Sequence, residues 1–221
     1  MRDSYREQLD EVLLDLVEMS RKVATAVRLA TKALLEADLQ RAETVISDDE
    51  AINQMRVDID NRAFSLLARQ APVAGELRLV VATLRMVTEL ERMGDLAAHI
   101  AKIARLRYPE RAVPDDMIGN FSRMADATEK MVLGVGRALH DRNIADAETV
   151  QESDHEIDDL RRSQFRIMLN PDWPHGVEFA VDVALLGRYY ERIADHAEAI
   201  ARRLVYIVTG ELPEDEVPAQ P

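Results

Sequence analysis

The sequence predicts an all-α protein made of two tandem three-helix bundles, and three observations support that prediction. The 221 residues are 47% hydrophobic but only 5% aromatic, a composition typical of long helices that pack through aliphatic side chains. Apolar residues recur at helical spacing, as at Val12, Leu16, Val23 and Val27. The two halves of the chain also resemble each other, which favours two copies of one helical unit over a single irregular domain.

The first repeat, residues 1–108, is predicted to hold three helices. An apolar stripe starts at Leu9, and Asp38 stands where an N-cap would begin the second helix. Pro72 and Gly75 interrupt the pattern, which resumes at Leu77 as the third helix. A half of about 100 residues is long enough for its own hydrophobic core. We therefore expect two independently cored bundles.

The second repeat, residues 115–210, follows a linker at 109–114 that is bracketed by two prolines. Helices are predicted near 115–141, 143–169 and 177–208, with Asn143 as the N-cap of the middle one. A turn-rich NPDWPHG segment separates the last two helices. The tail at 211–221 is acidic and rich in proline, a composition typical of disorder.

Two short sequences are repeated almost unchanged. AETV begins at Ala42 and again at Ala147, a shift of 147 − 42 = 105 residues. ERMGD begins at Glu91 and ERIAD at Glu191, a shift of 191 − 91 = 100 residues. The smaller second shift indicates a shorter connection before the last helix of the second half.

The repeated helices carry acidic pairs in unexpected places. Glu91 and Asp95 are four residues apart, as are Glu191 and Asp195, and like charges at this spacing share a helix face and repel. Glu91 also lies seven residues after Leu84, at a position that elsewhere carries core residues. These carboxylates are therefore expected to face a seam between helices.

The helix before each pair supplies further acids, Asp49 in the first half and Asp154 with Asp158 in the second. Antiparallel helices would bring these acids level with Glu91 and Glu191, within ~3 Å along the helix axis in the first half. The sequence thus predicts one cluster in each half. The candidate metal-binding residues are Asp49, Glu91, Asp95, Asp154, Asp158, Glu191 and Asp195.

Two interpretations of the clusters stay open. Arginines such as Arg92 and Arg188 would neutralise the carboxylates through ion pairs between helices. Alternatively, oxygen ligands suit hard cations such as magnesium, calcium or manganese, and carboxylates also bind iron. The second cluster, with four carboxylates, is expected to bind a cation more readily than the first, where Asn53 replaces an acid.

Several classes of function are disfavoured. A net charge of −13 works against nucleic-acid binding and against adhesion to anionic membranes. No apolar run approaches the ~20 residues of a membrane span, and we expect a soluble, cytoplasmic protein. Glu152 and His155 form one Glu-x-x-His pair without a partner, which disfavours a ferritin-like oxidase. No phosphate-binding loop or nucleophile motif is present, so no catalytic residue is assigned.

The duplicated E-R-[MI]-x-D helix, the acids on the helix before it, and the segment APVAGELRLVVATLRMVTELERMGD resemble PhoU proteins. The resemblance covers residues 4–210. It implies two three-helix bundles side by side, each with a multinuclear metal site on [ED]-x-x-x-D motifs. Asn53 departs from that pattern. The metal implied is a divalent or trivalent ion, with magnesium, manganese, iron and zinc all open.

The same resemblance implies a function without catalysis. PhoU-like proteins are cytoplasmic, often homodimeric, negative regulators of phosphate uptake. They link the ATPase subunit of the phosphate transporter to a PhoR-type sensor histidine kinase and meet the membrane only through such partners. The alternative is a metal-dependent hydrolase or oxidase that uses the same acidic clusters, although no general base accompanies the acids.

Overall fold

A computed structural model describes residues 2–70 and 72–211, with side chains from Tyr5 to Arg69 and from Pro72 to Glu211. Within these ranges the chain is all-α and contains no strand, as predicted. The helices are α1 (Arg2–Glu36), α2 (Leu39–Gln70), α3 (Ala74–Arg107), α4 (Ile118–Asp141), α5 (Ile144–Glu152), α6 (Asp154–Met168) and α7 (Gly176–Thr209), with a 3₁₀ turn at Asp115–Met117 before α4. The predicted tail at 211–221 lies outside the described residues except for Glu211.

Matching turns confirm the duplication. Asp38 Oδ1 accepts a hydrogen bond of 2.9 Å from a backbone amide in the first turn of α2. Asn143 Oδ1 accepts one of 3.0 Å at the start of α5. The residue before each cap, Ala37 or Arg142, adopts a left-handed conformation with φ of 53° or 49°. Since 142 − 37 = 105, the repeat found in the sequence extends to the backbone of the turns.

The two halves share one core, and the prediction of two independently cored bundles was therefore wrong. Helix α1 packs against α4, and α3 packs against α7, so the inner helices of one half cover those of the other. The buried apolar side chains of both halves form one continuous cluster. At its centre the Tyr190 hydroxyl lies 2.6 Å from Thr31 Oγ1, which donates to the Val27 carbonyl.

The predicted helix at 143–169 is broken at Ser153 into α5 and α6, whereas α2 is continuous. The third helices of the two halves also differ. A Cβ atom on Gly94 would lie 3.1 Å from the Ile52 side chain and 3.3 Å from Asp49 Oδ1. Ala194 stands at the equivalent position, since 194 − 94 = 100, and carries the methyl group that Gly94 lacks.

The connection between the halves is packed rather than loose. Ala112 and Val113 are each 1% exposed. Just before them, Arg107 Nε donates a 2.6 Å hydrogen bond to Asp182 of α7, and its Nη1 pairs with Glu178. This arginine joins the end of α3 to the beginning of α7. None of the helices in the described ranges is both long and apolar enough to cross a bilayer.

Candidate functional site

The first-half cluster brings α2 and α3 together around Asp49. Burial raises the pKa of Asp49, and the nearby carboxylates of Asp95 and Glu91 raise it further, while Lys102 and His99 oppose the shift. Only neighbouring charges have such an influence, so α2 and α3 align in the register that the sequence predicted. The carboxylates of Asp49, Glu91 and Asp95 therefore lie in one region between the two helices.

Arginine neutralises the carboxylates of the first-half cluster only in part. Arg92 lies 3.2 Å from Asp95 and 3.7 Å from Glu91, and its side chain is 58% exposed. Asp49 Oδ1 and Asn53 Oδ1 are buried and have no hydrogen-bond partner. Buried acceptors are almost always satisfied. These two oxygens are thus available to a cationic or hydrogen-bonding ligand.

The second-half cluster centres on Asp154 at the beginning of α6. Burial raises the pKa of Asp154 to about 6, with further contributions from Asp158, Glu198 and Asp195. Burial also raises the pKa of Asp195, as does the nearby carboxylate of Glu191. Asp154 Oδ1 is another buried oxygen without a hydrogen-bond partner. All four predicted residues of this half therefore lie in one electrostatically coupled group.

Glu191 differs from its counterpart Glu91 because arginines hold it on both sides. Arg161 Nη1 donates to Glu191 at 2.7 Å and Arg188 Nη1 at 2.5 Å, and the Glu191 side chain is only 12% exposed. In the first half Thr88 replaces Arg188, since 188 − 100 = 88. Arg56 is equivalent to Arg161, since 161 − 105 = 56, and pairs instead with Asp60. The interpretation that arginines neutralise the acids therefore describes Glu191 better than Glu91.

Sequence reasoning missed two members of the second cluster. Arg161 approaches Glu191 from α6, and Glu198 contributes to the raised pKa of Asp154. Glu198 had a detectable signal, since it lies seven residues after Glu191 and so shares its helix face. The first half has Ala98 at the equivalent position, so comparison of the repeats alone would not have found it.

The donor atoms suit a hard cation, but the side chains do not form a closed cage. Carboxylate and amide oxygens are the ligands that magnesium, manganese and calcium prefer, and three of the buried oxygens lack partners. Across residues 2–70 and 72–211, however, no three Asp, Glu, His or Cys side chains are grouped closely enough to hold one ion. Metal binding by the seven residues stays a prediction and would require side-chain rotation.

The raised pKa of Asp154 leads to a prediction about stability and pH. The folded protein binds this proton more tightly than the unfolded chain, so protonation stabilises the fold as the pH falls through about 6. In a chelating buffer, Asp154→Asn is expected to raise the free energy of unfolding at pH 8 by about 1 kcal/mol, allowing for contact with water. The gain should disappear by about pH 4. Urea titrations at both pH values test this, and an equal gain at both would contradict the assigned cause.

Comparison with known proteins agrees with this duplicated architecture. The family model described as the PhoU domain matches twice, at residues 16–104 and 121–204. The chain is 43% identical over 216 residues to "Phosphate-specific transport system accessory protein PhoU homolog 1" of Mycobacterium leprae, covering 98% of this chain and 97% of the relative. It is 44% identical over 213 residues to PhoU homolog 2 of Mycobacterium tuberculosis, covering 96% and 100%.

Solved structures show the same fold. The phosphate transport system regulatory protein PhoU from Streptococcus pneumoniae superposes with a TM-score of 0.86 at 26% identity, covering 95% of this chain and 99% of that one. PhoU from Pseudomonas aeruginosa gives a TM-score of 0.83 at 28% identity, covering 94% and 100%. With both repeats matched and close relatives aligned over nearly their whole length, the chain belongs to the PhoU family.

Proposed function

We propose that this protein is a non-enzymatic regulator of phosphate uptake that acts as a negative regulator of phosphate-starvation signalling. The main support is that both PhoU domains are present over nearly the full length of the chain, each with a carboxylate cluster in the same place. The relatives named above are accessory proteins of phosphate-specific transport. On this proposal the protein acts at the cytoplasmic side of the membrane, as a homodimer, through its partners.

The enzymatic alternative, a metal-dependent hydrolase or oxidase, has less support. Such an enzyme needs an open metal position and a group that moves a proton. Glu191, one of the carboxylates of the second cluster, is held by two arginines instead. Glu191 is thus better described as a carboxylate neutralised between helices than as part of a site arranged around a substrate.

We also propose that the clusters bind a divalent or trivalent cation, with magnesium, manganese, iron and zinc as candidates. Asp49, Glu91 and Asp95 would hold it in the first half, and Asp154, Asp158 and Asp195 in the second. Such an ion, when bound, would neutralise the carboxylates and could offer coordination positions to phosphate. We propose that the first cluster binds the ion more tightly, opposite to the order expected from the sequence, because arginines already neutralise Glu191 of the second cluster.

The order of the two sites can be tested by titrating chelator-treated protein with Mn²⁺ in a calorimeter. Asp49→Ala is expected to weaken the tighter binding event by at least about tenfold, since even loss of an outer-shell partner has that effect. Glu191→Ala should change it less, because Glu191 is engaged by arginines. An equal or larger loss with Glu191→Ala would contradict the arginine argument. No change with either variant would contradict metal binding at these residues.

The proposed partners are the ATPase subunit of the phosphate transporter and a PhoR-type sensor kinase. The chain carries a net charge of −13, so basic surfaces on a partner would be attracted to it electrostatically. Binding of the purified ATPase subunit, measured by biolayer interferometry, should therefore weaken as salt is raised. The ATPase subunit of an unrelated transporter is the control. Equal binding to both subunits, or none with and without Mn²⁺, would contradict the docking proposal.

A further inference from the structure

A groove of about 470 Å³ lies between α1 and α2 in the first half and reaches Asp49 of the first-half cluster. Pockets for small molecules are typically ~300–1,000 Å³, so this groove is of suitable size. Its apolar lining includes Ala26, Leu29, Val45 and Ile52, and Gly94 of α3 lies at its edge. The missing side chain of Gly94 allows α2 to approach α3 closely beneath the groove.

The two walls of the groove differ in charge. Helix α1 contributes Arg21 and Lys22 together with Glu18, and α2 contributes only the acids Asp48 and Asp49. Among the described residues no ion pair crosses from these cations to these acids, and Arg21 instead pairs with Glu18 on its own helix at 3.7 Å. A ligand between the two helices would therefore meet Arg21 and Lys22 on one side and Asp48 and Asp49 on the other.

The second half provides an internal comparison, because an ion pair joins the equivalent helices there. Arg123 Nη2 of α4 lies 3.0 Å from Glu156 Oε1 of α6. Their counterparts in the first half are Glu18 and Ala51, since 123 − 105 = 18 and 156 − 105 = 51. Both counterparts line the groove, and they have no opposite charges with which to bridge it. The first half thus lacks the ion pair that joins the equivalent helices of the second half.

We propose that this groove binds a small zwitterion whose amine and anionic group are separated by an apolar body. The amine would lie against Asp48 and Asp49, the anionic group against Arg21 and Lys22, and the apolar body against the aliphatic lining. A purely anionic ligand would leave Asp48 and Asp49 without a partner. A purely cationic ligand would leave Arg21 and Lys22 without one. This inference does not rest on the proposed function, but Asp49 is shared with the proposed first-half metal site, so a bound cation and the amine would compete for it.

The probes are ω-amino acids of four to eight carbons, measured by ligand-observed NMR with full-length protein in a chelating buffer. Within this series the best-binding member is expected to bind about fivefold more tightly than its N-acetyl derivative or its methyl ester, each of which lacks one charge. Lys22→Ala should reduce the discrimination against the methyl ester, because Arg21 remains. Asp48→Ala should reduce the discrimination against the N-acetyl form, because Asp49 remains. Both side chains are exposed, so neither substitution disturbs the core.

A second set of variants introduces the ion pair of the second half into the first half. Glu18→Arg combined with Ala51→Glu should create the bridging ion pair and weaken the best probe by about fivefold, more than the two single variants predict by addition. Arg123→Ala/Glu156→Ala in the second half is the matched control and should leave binding unchanged. The proposal is overturned if no probe of any length binds. It is also overturned if the charged and capped probes bind equally, or if the bridging pair has no effect.

Discussion

Replacement of Arg107 by methionine is expected to lower the free energy of unfolding by about 3 kcal/mol. Arg107 pairs with Asp182, whose side chain is only 6% exposed, and with Glu178, whose side chain is 73% exposed. Methionine retains the apolar stem but leaves the Asp182 carboxylate buried without a partner. An unpaired buried charge is strongly destabilising, whereas the loss of an exposed pair costs little.

Two control variants separate these effects in urea titrations. Arg107→Met/Asp182→Asn removes both charges and should recover most of the loss, since a buried pair contributes little net stability over neutral residues. Glu178→Gln should cost less than about 1 kcal/mol because that carboxylate is exposed. If Arg107→Met and Glu178→Gln had similar effects, the buried Asp182 pair would not be the link between α3 and α7.

Much of the architecture was predictable because it depends on local patterns that occur twice. Asp38 and Asn143 cap their helices through side-chain oxygens, a property of the residue type and position. Asp49 approaches Glu91 because antiparallel helices joined by a short connection have a register fixed by residue counts. Such features follow from spacing along the chain, and the structure agrees with them.

Features that depend on contacts between distant helices were not predictable in this way. The apolar stripe of α1 shows that one face is buried, but not that α4 of the other half covers it. The break at Ser153 has no counterpart in α2, although the sequence patterns of the two halves match. The pairing of Arg161 with Glu191 depends on the side-chain direction of two crossing helices. Arg107 and Asp182 are 75 residues apart, and neither lies in a repeated motif.

Deletion of the gene for this protein, together with any redundant paralogue, is expected to have a large effect on the cell. We expect phosphate-starvation genes to be switched on in phosphate-rich medium. The reason is the proposed function, which is supported by the accessory role named for the relatives and in which the protein restrains a partner. Loss of that restraint would leave transporter and kinase signalling active whatever the phosphate supply.

The most direct test of the regulatory proposal is therefore transcript abundance of phosphate-starvation genes in this deletion strain, grown with abundant phosphate. The wild-type strain and a deletion strain complemented with the intact gene are the controls. The proposal predicts high expression in the deletion strain and repression in both controls. Normal repression in the deletion strain would contradict it, whatever the metal and docking measurements showed.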